Sequence, residues 1–462
     1  MVSNHGHGDH NEHLEDKSSD TQAFVNIVKT YIGAGTLGLP YAFRLGGLIG
    51  SFLFLSFLCV VSTFCIHIMI RCKRRHPAFE ETHDEKAERR PLCRSSHDLM
   101  ADGVLNALHD HANFVCREPH SFADIGFMAF GTWGYALVEF VVVTCQLGFV
   151  CAYLIIIGDT LHSLFPVFSP AVFIIAAAVP LTFLTWLRSM KYFAPLSALV
   201  LVVFSVGAVI ILQQGYIFYH SALLSTSEIF PAVYLFRLKT LPLFFGTAVY
   251  SFEGINLAIP IEDNMLHPEH FPKVMNRAMV AVMAIFSVFG GCAYFFFRHQ
   301  TDPVIVLCLG LTHSAPQLRM LVELSFCIVL FFTFPIGMFP IVQIVERRIL
   351  PQFGYLIDDE TGEYPDSLSL DILRCVVRSL CVLVVVAVTL SIPDFGVIME
   401  LFGAFSNSLA TFILPALFSL RIFRLSITGI QRILLLAIVG FGTLAVIIST
   451  SFAIQDLIDA FF

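Results

Sequence analysis

The chain has 462 residues, of which 56% are hydrophobic and 13% charged, and a mean hydropathy of +0.78. Those proportions exclude a water-soluble protein of ordinary composition. A formal charge of -8, with 47 phenylalanines against 27 Lys plus Arg, excludes a disordered chain and a nucleic-acid-binding one. The apolar residues fall into blocks of ~20, the length of helix that crosses a ~30 Å hydrocarbon layer. The expected fold class is therefore an all-α polytopic membrane protein.

Residues 1 to 23 are polar and are expected to form a disordered cytosolic tail. Its run HGHGDHNEH brings His5, His7, His10 and His13 together, but nothing fixes the geometry that a selective metal site needs, so a solvated tail is expected and no metal. The tail also lacks the charged start and short apolar stretch of a cleavable signal, which leaves the first apolar block to direct insertion. Residues 24 to 462 are expected to form one transmembrane domain, with spans near 24–43, 47–70, 131–157, 169–187, 192–213, 241–261, 277–297, 319–345, 371–392, 396–420 and 430–454. Residues 71 to 120 mix both signs of charge with histidine and are expected to be a flexible cytosolic loop. Eleven spans with the N-terminus in the cytosol leave only Arg44, Arg237, Lys239, Arg298 and Arg319 of the basic residues on the far side. The positive-inside rule thus fixes a cytosolic N-terminus and an extracytosolic C-terminus. Most of the twelve cysteines lie inside apolar blocks, where thiols pack as small hydrophobes.

Two spans carry helix breakers at depth. The first, FVNIVKTYIGAGTLGLPYAF, holds Gly33, Gly35, Gly38 and Pro40; the sixth, LPLFFGTAVYSFEGINLAIP, holds Gly246, Gly254 and Pro260. Pro40 frees the carbonyl of Thr36 and Pro260 that of Asn256, and freed backbone groups are tolerated at membrane depth only where they line an enclosed, wet cavity. Close helix packing explains the glycines of either span alone, but not their matched positions. As spans one and six, they head two five-helix units of opposite orientation, which predicts a 5+5 inverted repeat with one extra helix and a site between the two breaks.

The chemistry expected there follows from half-helix dipoles. The N–H groups of Gly35, Thr36, Leu37 and Gly38 would receive a carboxylate, and carbonyls near Ala248, Val249 and Tyr250 an ammonium group. The remaining candidate lining, Phe245, Thr247, Phe252 and Ile255, offers no fixed cation, which favours a small or apolar neutral amino acid. Glu253, beside Gly254, is placed to take up and release a proton and so couple it to the amino acid; the alternative is a permanently neutral acid capping a freed backbone group. Glu139, Glu323, Glu400 and His67 are less specific intramembrane polar residues, and Gln146, Ser406 and Asn407 are candidate cavity polars.

At IVKTYIGAGTLGLPYAFRLGG (27–47), SFADIGFMAFG (121–131), QLGFVCAYLIIIGDTL (146–161), GTAVYSFEGINLAIPIEDNM (246–265) and LFFTFPIGMFPIVQIVERR (330–348), the chain resembles the amino acid/auxin permease family. It is most similar to the proton-coupled amino acid transporters and to the plant and fungal vacuolar amino acid transporters. The resemblance implies the leucine-transporter-like repeat, no cofactor, and a proton as coupling ion. It places substrate binding on Ile32, Gly33, Gly35, Thr36, Leu37, Tyr250 and Phe252, with proton coupling at Glu253. Animal proton-coupled members carry a histidine where this chain has Asn26, which cannot titrate in the working range, so coupling falls to another group such as Glu253. The implied setting is a vacuolar or lysosomal membrane, and no Asn-x-Ser/Thr acceptor argues for a glycosylated cell-surface form. The expected partners are an amino acid and the bilayer, with no nucleic acid and no obligate protein partner. Competing readings are an amino-acid-sensing receptor with little flux and an intramembrane lipid-modifying enzyme. The enzyme would rest on the isolated pairs Asp263 with His267 or His109 with His111.

Overall fold

A computed structural model describes residues 17–75, 119–187, 194–224, 232–311, 316–355, 367–392 and 394–461. The histidine-rich N-terminal run and the greater part of the 71–120 segment, with His109 and His111, lie outside these residues. Order begins earlier than residue 24. The Ser18 N–H donates to the Asn264 carbonyl at 2.7 Å and the Leu266 N–H to the Ser18 carbonyl at 3.0 Å. The chain then enters α1 (Asp20–Tyr31) through a capping box, in which Ser19 Oγ accepts from the Gln22 N–H and the Gln22 side chain from the Ser19 N–H.

Ile32 and Gly33 leave the helix and α2 (Ala34–Gly46) resumes it. Gly47, at φ +78°, turns the chain into α3 (Leu48–Arg74). The SFADIGFMAF stretch forms a helix of its own, α4 (Phe122–Phe130), with Ser121 as its cap. Next come α5 (Thr132–Leu164), α6 (Pro170–Thr185) and α7 (Ala194–Leu224). A second interrupted pair follows, α8 (Leu241–Ser251) and α9 (Ile255–Asp263). After α10 (Phe271–Phe297), α11 (Pro316–Ile349) and α12 (Leu368–Ser391), α13 (Phe395–Phe402) passes through two π-helical stretches, 403–407 and 409–413, into α14 (Leu414–Ile422). The last helix is α15 (Gly429–Phe461).

Among the described residues, eight helical runs are long and apolar enough to cross a membrane. Neither interrupted pair is among them, because each half is too short, and α6 is shorter than the rest. The chain is an all-helical, multi-pass membrane protein. Side chains such as Val60, Leu383 and Ile433 are more than 60% exposed on their helices, an arrangement that suits acyl chains and not water.

The core is built around the two interrupted pairs. α8 lies so close to the π-helical run that a Cβ on Gly403 would run into the Gly246 carbonyl, and one on Gly246 would come within 2.9 Å of Glu400 Cα. On the face where α1 begins, hereafter the N-terminal face, ion pairs tie helix ends together. Lys73 pairs with Glu262 at 3.1 Å and with Asp263, Arg74 reaches Glu262 at 2.6 Å, and Arg378 meets Glu346 at 2.7 Å. Lys73 and Glu262 are each only 2% exposed, so either one alone would be a buried unpaired charge.

The glycine contact gives a direct test of the packing. Gly403→Ala should lower the melting temperature of the detergent-purified protein by several degrees, since overpacking a closed backbone contact costs ~1–3 kcal/mol. Gly440→Ala, where an added Cβ meets nothing within 4 Å, should leave it unchanged.

Candidate functional site

Both breaks are held by hydroxyl groups. At the first, Thr36 Oγ1 accepts from the Gly33 N–H at 3.3 Å and donates to the Tyr31 carbonyl at 3.2 Å, while the Thr36 N–H takes the Gly33 carbonyl at 3.0 Å. That leaves the first N–H groups of α2, on Ala34 and Gly35, with no partner among the described residues. At the second, the Phe252 N–H closes onto the carbonyls of Ala248 and Val249, and those of Tyr250 and Ser251 are left without one. Ser251 Oγ donates to the Gly35 carbonyl at 2.9 Å and joins the two breaks. Only glycine permits this approach, since a Cβ on residue 35 would stand 2.9 Å from Ser251 Cα.

The breaks lie two or three residues away from where the prolines suggest. Pro40 and Pro260 sit inside the second half-helices, and the chain unwinds instead at Ile32–Gly33 and Phe252–Gly254. The carbonyl site correspondingly moves from Ala248 and Val249, which Phe252 caps, to Tyr250 and Ser251.

A cavity of about 1320 Å³ runs from the N-terminal face, at His120, Tyr135 and Arg347, to these breaks. Of the residues singled out in the sequence, Ile32, Gly33, Gly35, Tyr250 and Glu253 line it, as do Asn26 and Gln146. Thr36, Leu37 and Phe252 do not: Thr36 is spent on bracing the break, Leu37 is 1% exposed, and Phe252 packs edge-on between Tyr31 and Phe286. Phe245, Thr247 and Ile255 are likewise buried away from it, Phe245 against Phe412 and Phe441. Glu253 Oε1 accepts from Asn256 Nδ2 at 2.6 Å and has no cation partner among the described residues.

The wall opposite the breaks comes from α5, whose Val142, Gln146, Phe149 and Tyr153 recur at helical spacing, and from Leu330, Thr333, Ile336 and Gly337 of α11. That spacing was the signal available in the sequence for a lining that includes Phe149 and Tyr153. Tyr31 and Ser251 had no such signal, because their roles arise from the break itself. Of the other intramembrane polars, Glu139 pairs with Arg348 at 2.5 Å, Glu323 with Arg319 at 2.7 Å, and His67 Nε2 lies 2.7 Å from Asn276 Oδ1. Ser406 donates to the Phe402 carbonyl and Asn407 is buried with neither amide atom partnered among the described residues, both away from the cavity.

The opposite face is sealed. Arg44 Nη1 donates to the Thr301 carbonyl at 2.7 Å, Arg237 Nη1 to the Arg44 carbonyl at 3.0 Å, and the Arg237 N–H to the Gly46 carbonyl at 3.2 Å. In the loop that closes this face, burial raises the Asp302 carboxyl above its ordinary range, opposed by the Val304 N–H that it accepts. Among the described residues, the cavity reaches the breaks from the N-terminal face, and these bonds cross the opposite one.

A family described as transmembrane amino acid transporter protein matches residues 16–94 and 104–455. The chain belongs to that family. Within this transporter family it is 29% identical to amino acid transporter AVT3B of Arabidopsis thaliana, over 96% of this chain and 94% of that one. It is 24% identical to the proton-coupled amino acid transporter-like protein pathetic of Drosophila melanogaster, over 96% and 86%. Vacuolar amino acid transporter 4 of Saccharomyces cerevisiae is 26% identical over 87% of this chain and 53% of its own length. Among solved structures, a manganese transporter of Eremococcus coleocola shares the fold at a TM-score of 0.51 and 13% identity, over 99% of this chain and 92% of that one. A family and relatives named as transporters set the lipid-modifying reading aside.

The bracing at the first break is testable in this transporter. Thr36→Ala strands the Gly33 N–H and the Tyr31 carbonyl, a loss of ~1–3 kcal/mol, and should weaken apparent amino acid affinity about tenfold in liposome uptake. Thr36→Ser keeps the hydroxyl and should stay near wild type.

Proposed function

We propose that this protein is a secondary transporter that moves neutral amino acids across a vacuolar or lysosomal membrane, coupled to protons. The observation that carries the proposal is the pairing at the bottom of the cavity. Unsatisfied N–H groups of Ala34 and Gly35 stand at the positive end of α2, and unsatisfied carbonyls of Tyr250 and Ser251 at the negative end of α8. A zwitterion satisfies both, with its carboxylate on the first set and its ammonium on the second. Of the further lining residues, Phe149, Tyr153, Leu330 and Ile336 with the amide of Gln146 suit an uncharged side chain, and the charged Lys29, Glu139 and Arg347 also border the cavity.

Counting each interrupted pair as one span and adding α6 to the eight long helices gives eleven, and the two breaks then stand at the heads of opposed five-helix units. The positive-inside reading makes the N-terminal face cytosolic, so the state described is open to the cytosol. Names of relatives support the setting and the ion: one is vacuolar and another proton-coupled-like.

Glu253 is the coupling residue in this reading. It lies on the cavity wall, within the second break, with an amide and no cation beside it among the described residues. The carboxylic acid forms on its uptake of a proton and the carboxylate on release, so its charge changes next to the substrate-binding backbone.

Reconstitution into liposomes with an imposed pH gradient tests this. Wild type should accumulate labelled neutral amino acids against their gradient. Glu253→Gln should lose at least tenfold of that accumulation while still exchanging amino acid at equal pH. Gradient-driven uptake at the wild-type rate in Glu253→Gln would refute the coupling role, and exchange without net flux in wild type would point to a sensor.

A further inference from the structure

We propose that Glu400 is a second proton-binding site, serving the sealed outer face rather than the cavity. Its carboxyl takes a proton from outer water as that face closes and returns the proton to outer water when the face reopens. The proposal rests on the transport reading only for the existence of an outward-open state.

Glu400 lies in α13 and is 1% exposed. Tyr41 of α2 donates its hydroxyl to Oε1 at 3.4 Å, and Oε2 is buried with no partner among the described residues. The ionisable groups that face it are acids or neutral: Asp394 from the start of its own span, Asp456 from α15, and Tyr41. The cation beside Tyr41, Arg44, stacks over the Tyr41 ring at 5.1 Å and donates to the Thr301 carbonyl. A carboxylate enclosed with one oxygen unpaired and acids for neighbours is costly, and adding a proton removes the cost.

Its position links that proton to a movement. The Glu400 side chain meets α2, the outer half of the first interrupted span, and its backbone abuts Gly246 of α8, the outer half of the second. Any outward opening that parts α2 from α13 brings water to the carboxyl, where the carboxylate is tolerated. Closure then requires reprotonation. Glu400 does not line the cavity, so its proton has no wet route to the N-terminal face and cycles with the outer solution.

The test uses the full chain in liposomes, with a pair of spin labels attached through unnatural amino acids at Val167 and Leu238, which are 81% and 76% exposed on outer loops. With inner pH fixed, raising outer pH should lengthen the wild-type distance distribution. Glu400→Gln should be shifted toward the short, closed distance, with no dependence on outer pH, and its remaining slower transport should keep an unchanged proton-to-amino-acid flux ratio. Tyr41→Phe removes the hydrogen bond that ties α2 to α13 in the closed form and should open the outer face at a lower outer pH than wild type. A wild-type distance that ignores outer pH, a Glu400→Gln protein that responds like wild type, or a reduced flux ratio in Glu400→Gln would each overturn the proposal. Should Glu400→Gln fail to fold, Tyr41→Phe decides, and an unshifted midpoint overturns it. Failure of a pH gradient to drive accumulation in wild type would instead remove the Glu253 coupling and leave this assignment intact.

Discussion

Backbone polar groups that leave a helix inside the membrane must find partners, and this fold is organised around two places where they do so incompletely. The hydroxyls of Thr36 and Ser251 satisfy the groups that would otherwise unravel each break, and Ser251 clasps the Gly35 carbonyl to hold the breaks together. What remains is a donor pair on Ala34 and Gly35 and an acceptor pair on Tyr250 and Ser251. Those leftovers cannot face lipid, so the rest of the chain surrounds them with a cavity on one side and a seal on the other. Close approach at Gly35 and at the Gly246–Gly403 contact is the geometric condition for this.

From that condition the asymmetry of the molecule follows. On the N-terminal face, buried ion pairs such as Lys73–Glu262 and Arg378–Glu346 fix helix ends around an open mouth. The opposite face is closed by Arg44 and Arg237, whose guanidinium groups are spent on carbonyls rather than on carboxylates. Among the described residues, Glu253 on the cavity wall and Glu400 inside the seal are carboxyls with no cation partner. Burial without a counter-charge makes protonation the cheapest way to keep each, which is the physical basis of the two proton-binding roles proposed for them.

The all-helical, multi-pass membrane character and the existence of the breaks were legible in the sequence, because both depend on local signals: long apolar runs, and glycine and proline at matched depths in IGAGTLGLP and SFEGINLAIP. The place where each helix unwinds was not. Proline suggested one position, but Pro40 and Pro260 are accommodated within α2 and α9, and the tertiary bonds of Thr36 and Ser251 select another. For the same reason Phe252, adjacent to the binding backbone in sequence, turns into the packing against Tyr31 and Phe286, while Ser251 takes the site. Residues 17–23 read as tail because their order depends on pairing with residues 264–266, a contact with no local signature. Gln146 was legible as a cavity polar, whereas Phe149 and Tyr153 required α5 to be turned so that this face met the breaks.

The claim on which everything else depends is that main-chain groups at both breaks read the two ends of a zwitterion. Competition binding to the purified protein, comparing a neutral amino acid with its N-acetyl and its carboxamide derivatives, tests it most directly. Recognition by both half-helix ends predicts that each derivative competes at least a hundredfold more weakly than the parent. If either blocked form competed as well as the free amino acid, that end of the ligand would not be held by the backbone, and the account would be contradicted.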